Sequence, residues 1–151
     1  MYNKILLTTD GSENAARAAE HALWFAELSG AIIVVLYVIE QYDPRIVPFS
    51  TLPRSNESLY EELRDEGNRI VENFKEKLEK IKIKKNYKRI SLTTEIKEGK
   101  PYIEIVKTIK DEGFDLIVMG ASGRHGLDRY MLGSVTERVV RESTKPVMII
   151  P

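Results

Sequence analysis

Two short stretches of this chain carry residues that could do chemistry. One is Gly120-Ala121-Ser122-Gly123-Arg124-His125-Gly126, which follows an apolar run and leads on to Gly133-Ser134. The other is Thr8-Thr9-Asp10-Gly11-Ser12, which follows the first apolar run. Glycines can take φ > 0 and let backbone approach a ligand closely. A helix beginning near Ser134 would present backbone N–H groups and a partial positive charge, a combination that attracts phosphate. Arg124 could add charge from the same loop. Each feature also has a plain structural reading. Ser134 with Glu137 three residues on makes a capping box, which needs no ligand. Asp10 before Gly-Ser suits a helix cap or an Asx-turn. The residues alone leave both readings open.

Several chemistries are excluded. The chain has no G-x-x-x-x-G-K-[ST] loop and no G-x-G-x-x-G after its first strand, so it is neither a P-loop NTPase nor a standard dinucleotide binder. It has no cysteine, which removes disulfides, thiol catalysis and cysteine-bound metal. Nucleotidyl-transferring enzymes on related α/β folds show an H-x-G-H motif after the first strand, and none is present. A phospho-acceptor domain would want acidic neighbours around Asp10, where only Glu13 stands nearby. His125 has no acidic partner in sequence, and His21 falls inside a helix; neither reads as a catalyst.

These residues need a scaffold. The 151 residues suit one domain, 1–151, and 42% hydrophobic with 30% charged residues is ordinary for a globular chain. Lys plus Arg and Asp plus Glu both number 23, which gives no support for charge-driven binding to nucleic acid or to a membrane surface, though a local basic patch is compatible. The longest apolar run, Ala31 to Val38, is too short to span a bilayer. With no signal-peptide pattern and no cysteines, a cytoplasmic location is expected.

Strand and helix patterns alternate. Lys4 to Thr8 reads as a strand. Ala15, Ala18, Ala19, Ala22 and Ala26 mark one face of a helix that Gly30 stops. Ile32 to Ile39 is a strand buried on both faces. Residues 40–57, with Pro44, Pro48 and Pro53, form a long loop. Leu59 to Ile81 spaces a long polar helix, and Lys88 to Ile96 alternates as a half-exposed strand. A helix starts at Pro101, a buried strand covers Asp115 to Met119, a helix runs from Ser134 to Glu142, and Pro146 to Ile150 is the last strand. This order predicts an α/β fold with an open parallel sheet and helices on both faces. Ligands then bind beyond the carboxyl ends of the strands, where the order reverses.

Gly120-x2-Gly123-x9-Gly133-Ser134 matches the G-2x-G-9x-G-[ST] signature of the ATP-binding branch of the universal stress protein family. The segments "KILLTTDGSENAARAAEHA" and "VMGASGRHGLDRYMLGSVTERVVRESTKPVMII" also resemble that family, and only residues 40–57 fall outside the likeness. The resemblance implies a five-stranded parallel sheet in order 3-2-1-4-5, of the adenine nucleotide alpha hydrolase kind. It implies ATP as ligand, with Mg²⁺ or Mn²⁺ on the phosphates. Asp10 would contact the ribose side, Val38 would line the adenine pocket, and Met119 and Gly120 would complete its wall. Gly123, Gly133, Ser134 and Val135 would hold phosphate through backbone N–H groups. Thr8 stands where some relatives have proline or an apolar residue, at the adenine edge. The family also implies a homodimer through the edge strand Val147 to Ile150. The expected role is a nucleotide-dependent stress or signalling switch, closing Arg124 to Leu132 over phosphate. Slow ATP hydrolysis, or a nucleotide-free interaction module, are the alternatives.

Overall fold

The computed structural model describes residues 1–41, 56–122 and 131–151, with the backbone alone at Asn56. The elements run β1 (Lys4–Thr8), α1 (Glu13–Ser29), β2 (Ile32–Glu40), α2 (Asn56–Lys85), β3 (Ser91–Gly99), α3 (Pro101–Asp111), β4 (Leu116–Gly120), α4 (Ser134–Glu142) and β5 (Val147–Ile150). The strands form one parallel sheet in the order β3-β2-β1-β4-β5, as the resemblance implied. The order reverses between β1 and β4, which places their carboxyl ends side by side.

Period-two alternation divides the sheet between two helical layers. Ile5, Leu7, Ile33, Val35 and Val118 pack with the alanines of α1 and with Phe74 and Leu78 of α2. Leu6, Val34, Leu36, Ile117 and Met119 pack on the other face with Ile105, Val106 and Ile109 of α3 and Val139 of α4. The alanine face of α1 is fully buried and brings that helix close to the sheet. Ser12 Oγ caps the helix by accepting from Ala15 N–H, and Gly30 ends it at φ 76° with its N–H on the Ala26 carbonyl.

The third strand begins three residues later than its alternation suggests. The N–H groups of Lys88 and Arg89 donate to the Glu27 carboxylate of α1 at 3.1 and 3.0 Å, a tertiary capture that holds them before Ser91. The strand then continues to Gly99, opposite Glu40. Of the expected loop 40–57, residues 42–55 lie outside the described residues.

Asp115 fastens β4 to β1 at the opposite end from the crevice. Its Oδ2 accepts from the N–H of Asn3 at 2.7 Å and of Lys4 at 3.0 Å, and these two bonds hold its carboxyl below the ordinary aspartate value. A carboxyl lowered in the folded state stabilises above its unfolded pKa, and that contribution disappears as pH falls through the folded value. Urea midpoints for the wild type should therefore drop between neutral pH and about pH 3 by more than those of Asp115→Ala. Equal acid-side losses would show that this junction contributes nothing to the pH dependence.

Candidate functional site

The carboxyl ends of β1 and β4 carry both segments singled out by sequence. Thr8 pairs with Leu36 of β2, and Thr9 donates its N–H to the Leu36 carbonyl while its Oγ1 accepts from Gly11 N–H. Asp10 Oδ1 accepts from Ser12 N–H at 2.9 Å, which makes the Asx-turn the sequence allowed; the helix cap itself is Ser12. Gly11 sits at φ 81°, so the turn needs a residue that tolerates the left-handed region. Alternation puts Thr8, Val38 and Met119 on the sheet face that carries α3 and α4. Met119 is buried in that layer and Val38 packs half-buried against it.

The other wall starts at Gly120. A Cβ added there would lie 2.9 Å from Asn14 Cβ and 3.0 Å from Asn14 C, so only glycine lets β4 end against the first turn of α1. The Gly120 carbonyl accepts from Thr136 Oγ1 of α4 at 3.0 Å. Ala121 donates its N–H to the Ile150 carbonyl of β5, and its carbonyl accepts from Gly133 N–H, both at 2.7 Å. Those bonds bring the start of α4 next to the end of β4, across the gap in sequence between them.

The expected capping box at Ser134 is absent. Gly133 is the N-cap, at φ −61° and ψ 152°, with no side-chain hydrogen bond, and Ser134 is the first helical residue. A serine inside the helix cannot reach forward to cap it. Glu137 instead pairs with Arg141 one turn on. Hydrogen bonding within α4 begins with Glu137 N–H on the Gly133 carbonyl, so the N–H groups of Ser134, Val135 and Thr136 precede the first acceptor inside the helix. Gly133 differs from its expected role in one respect: its own N–H goes to Ala121, so donors toward an anion begin at Ser134. Ser134 is exposed and Val135 half-buried. The structure thus brings together Thr8, Asp10, Val38, Met119, Gly120, Gly133, Ser134 and Val135 around one strand-end crevice. Gly123 and Arg124, and with them His125, lie outside the described residues.

Two other charged groups are structural. Lys97 Nζ lies 2.7 Å from Glu112 Oε1 and 2.8 Å from Thr108 Oγ1, joining β3 to α3. Burial pulls its pKa down, but the carboxylates of Glu112 and Glu95 outweigh that and hold it above the ordinary lysine value. Arg64 of α2 pairs with Glu98 of β3, and that hydrogen bond keeps the glutamate below its usual range. Two cavities among the described residues lie away from the crevice. An apolar groove of about 270 Å³ runs between α1 and α2 beside Ala16, Phe74 and Ile81, and a polar hollow of about 460 Å³ lies at Gln41, Tyr60, Arg64 and Glu98. Among the described residues no cluster of three or more His, Asp or Glu could hold a metal ion by itself, and no helix is long and apolar enough to cross a membrane.

Asn14 was not legible as a site residue. It is a polar side chain in the first turn of an alanine-rich helix, and only the spatial closeness of Gly120 and Ser122 shows what it does.

Comparison with known proteins agrees with the fold. The model of the universal stress protein family matches residues 1–151. Universal stress protein MJ0577 of Methanocaldococcus jannaschii is 36% identical, over 99% of this chain and 95% of its own length. The solved structure of that protein superposes with a TM-score of 0.70, covering 99% of this chain and 96% of that one. Universal stress protein UspA from Lactobacillus plantarum is 26% identical with a TM-score of 0.74, covering 99% and 98%. A universal stress protein family member from Arabidopsis thaliana with AMP bound shares the fold at 21% identity and a TM-score of 0.63, covering 98% and 90%.

Proposed function

This chain belongs to the universal stress protein family, and from that premise we propose that it binds ATP in the crevice between the ends of β1 and β4. The observation that carries the proposal is the start of α4. Its N-cap is a glycine without a side-chain cap, its first-turn amides precede any acceptor in the helix, and a backbone bond from Gly133 to Ala121 sets it beside the end of β4. Amides so placed, with the helix dipole behind them, favour an anionic group. The G-2x-G-9x-G-S spacing supports a triphosphate as that group.

In this reading adenine lies against Val38 and Met119, at the edge marked by Thr8. Asp10 contacts the ribose, and Gly120 lets the ligand and α1 share the space beyond β4. Ser134 and Val135 hold phosphate through their backbone N–H groups, with Gly123 and Arg124 completing the cradle. In this reading a Mg²⁺ or Mn²⁺ ion comes with the phosphate oxygens of the nucleotide. The AMP-bound Arabidopsis structure supports this only as to fold. The nucleotide acts as a bound signal in a cytoplasmic stress-response switch. Asp10, at the ribose end, is too far from the γ-phosphate to serve as a base, so turnover is slow at best.

β5 is a sheet edge whose Val147, Met148 and Ile149 are half-buried, and an apolar edge invites pairing. Pairing of that edge with a second copy gives a homodimer. Native mass spectrometry of the untreated protein tests both parts at once. The expected species is two chains, each with one ATP. A bare single chain at roughly micromolar concentration would overturn the proposal.

A further inference from the structure

Asn14 lies in the first turn of α1, two residues after the cap Ser12. Its Nδ2 donates to the Ser122 carbonyl at 2.9 Å and to Ser122 Oγ at 2.6 Å. Its Oδ1 accepts from an Arg17 guanidinium nitrogen one turn further on. Arg17 Nε in turn donates to the Pro151 carbonyl at 2.8 Å, just past the end of β5. The amide satisfies these partners one way round only. Reversed, its oxygen would meet the Ser122 carbonyl, and its NH₂ would meet a guanidinium that can only donate. Arg17 therefore fixes the orientation of Asn14, and Asn14 fixes the point at which the chain leaves β4.

That point matters because of what flanks it. Gly120 and Ala121 are held to α4 and β5 by the Thr136, Gly133 and Ile150 bonds described above. Ser122 is the next residue, and it leads directly into the segment with the second signature glycine. Its carbonyl and hydroxyl are fixed by a side chain of α1. Three elements therefore converge on residues 120–122, with Asn14 as the contribution of α1.

We propose that Asn14 is a positioning residue for the polyphosphate end of the nucleotide. It sets the spacing between the backbone leaving β4 and the amides at the start of α4, and so favours nucleotides with two or three phosphates over AMP. This rests on the ATP reading above. Adenine in this reading meets Val38 and Met119, apolar side chains packed in the layer under α3 and α4 that offer the Asn14 amide no hydrogen-bond partner, so the adenine contacts do not depend on it.

The test is Asn14→Ala, with Mg-ATP and AMP titrated separately by calorimetry into the full chain. Alanine keeps the Cβ and backbone atoms that pack on Gly120 and removes only the amide. ATP affinity should fall about tenfold, the worth of one or two hydrogen bonds, while AMP affinity stays within about twofold. Arg17→Ala should shift ATP in the same direction by less, because the amide stays in place but is free to turn over. Unchanged ATP affinity in Asn14→Ala would overturn the proposal. So would parallel loss of ATP and AMP, which would mark a merely structural role. A wild-type chain that binds neither nucleotide would overturn the ATP reading itself, and the positioning role with it.

Discussion

Replacing Gly133 by aspartate is expected to weaken Mg-ATP binding about a hundredfold while leaving the chain at least as stable as the wild type. Gly133 is the N-cap of α4 with φ −61° and ψ 152°, a conformation any residue can adopt and one that suits Asp as a cap. Its carboxylate would accept from the first-turn amides and complement the dipole. Helix stability would then rise by a few tenths to about 1 kcal/mol. The same carboxylate would occupy the donors assigned to phosphate and would repel it, and a hundredfold loss corresponds to about 2.7 kcal/mol. The two effects have opposite signs, and this separates a ligand site from a helix end that merely lacks a cap. A variant that gains stability and still binds ATP like the wild type would leave the start of α4 with no part in binding.

Gly120→Val should be the most damaging substitution at the site, and here folding and binding should fall together. The Cβ position lies 2.9 to 3.2 Å from the Cβ, C and O atoms of Asn14, two of them backbone, so no rotamer change relieves the contact. Either α1 moves off β4 or β4 shifts. Overpacking of this kind costs roughly 1–3 kcal/mol, and the two γ-methyls put valine at or above the upper end. In a chain of this length, roughly 3 kcal/mol lowers the melting temperature by about 10 °C. Displacing Asn14 also breaks its bonds to Ser122 and so disturbs the phosphate side of the crevice. Thermal melts and nucleotide titration of Gly120→Ala and Gly120→Val should show a graded loss in both. A Gly120→Ala protein that matches the wild type would show that the two elements do not meet this closely.

Much of the fold could be read from residue patterns. The alanines of α1 and the stop at Gly30 lie where their spacing put them. Lys4 to Thr8 and Ser134 to Glu142 match the elements residue for residue. These segments are governed by local chemistry: a short apolar run, a glycine able to turn left-handed, a periodic apolar face. The alternation of strand and helix fixed a parallel sheet, but its order, and so the closeness of β1 and β4, came from the family resemblance.

Misplaced features depend on partners far along the chain. The start of β3 moved because Glu27, some sixty residues earlier, captures the N–H groups of Lys88 and Arg89. The capping box failed because Gly133, held by Ala121, takes the cap position and moves Ser134 into the helix. Gly67 looks like a defect in the middle of α2, yet a Cβ there would come within 3.1 Å of Tyr37 and Ile39, so it lets the helix rest on β2. Asn14 and Arg17 form a bridge from α1 to both β4 and the end of β5, and no sequence pattern announces it.

The central claim is that the strand-end amides of this chain hold a nucleotide's phosphates. Titrating Mg-ATP into nucleotide-stripped wild-type protein, followed by calorimetry and thermal shift, tests it most directly. Saturable binding of one ATP per chain, with a melting temperature that rises with ligand concentration, is the predicted result. No heat and no shift at roughly millimolar Mg-ATP would contradict the claim and leave a glycine-capped helix beside a tight turn.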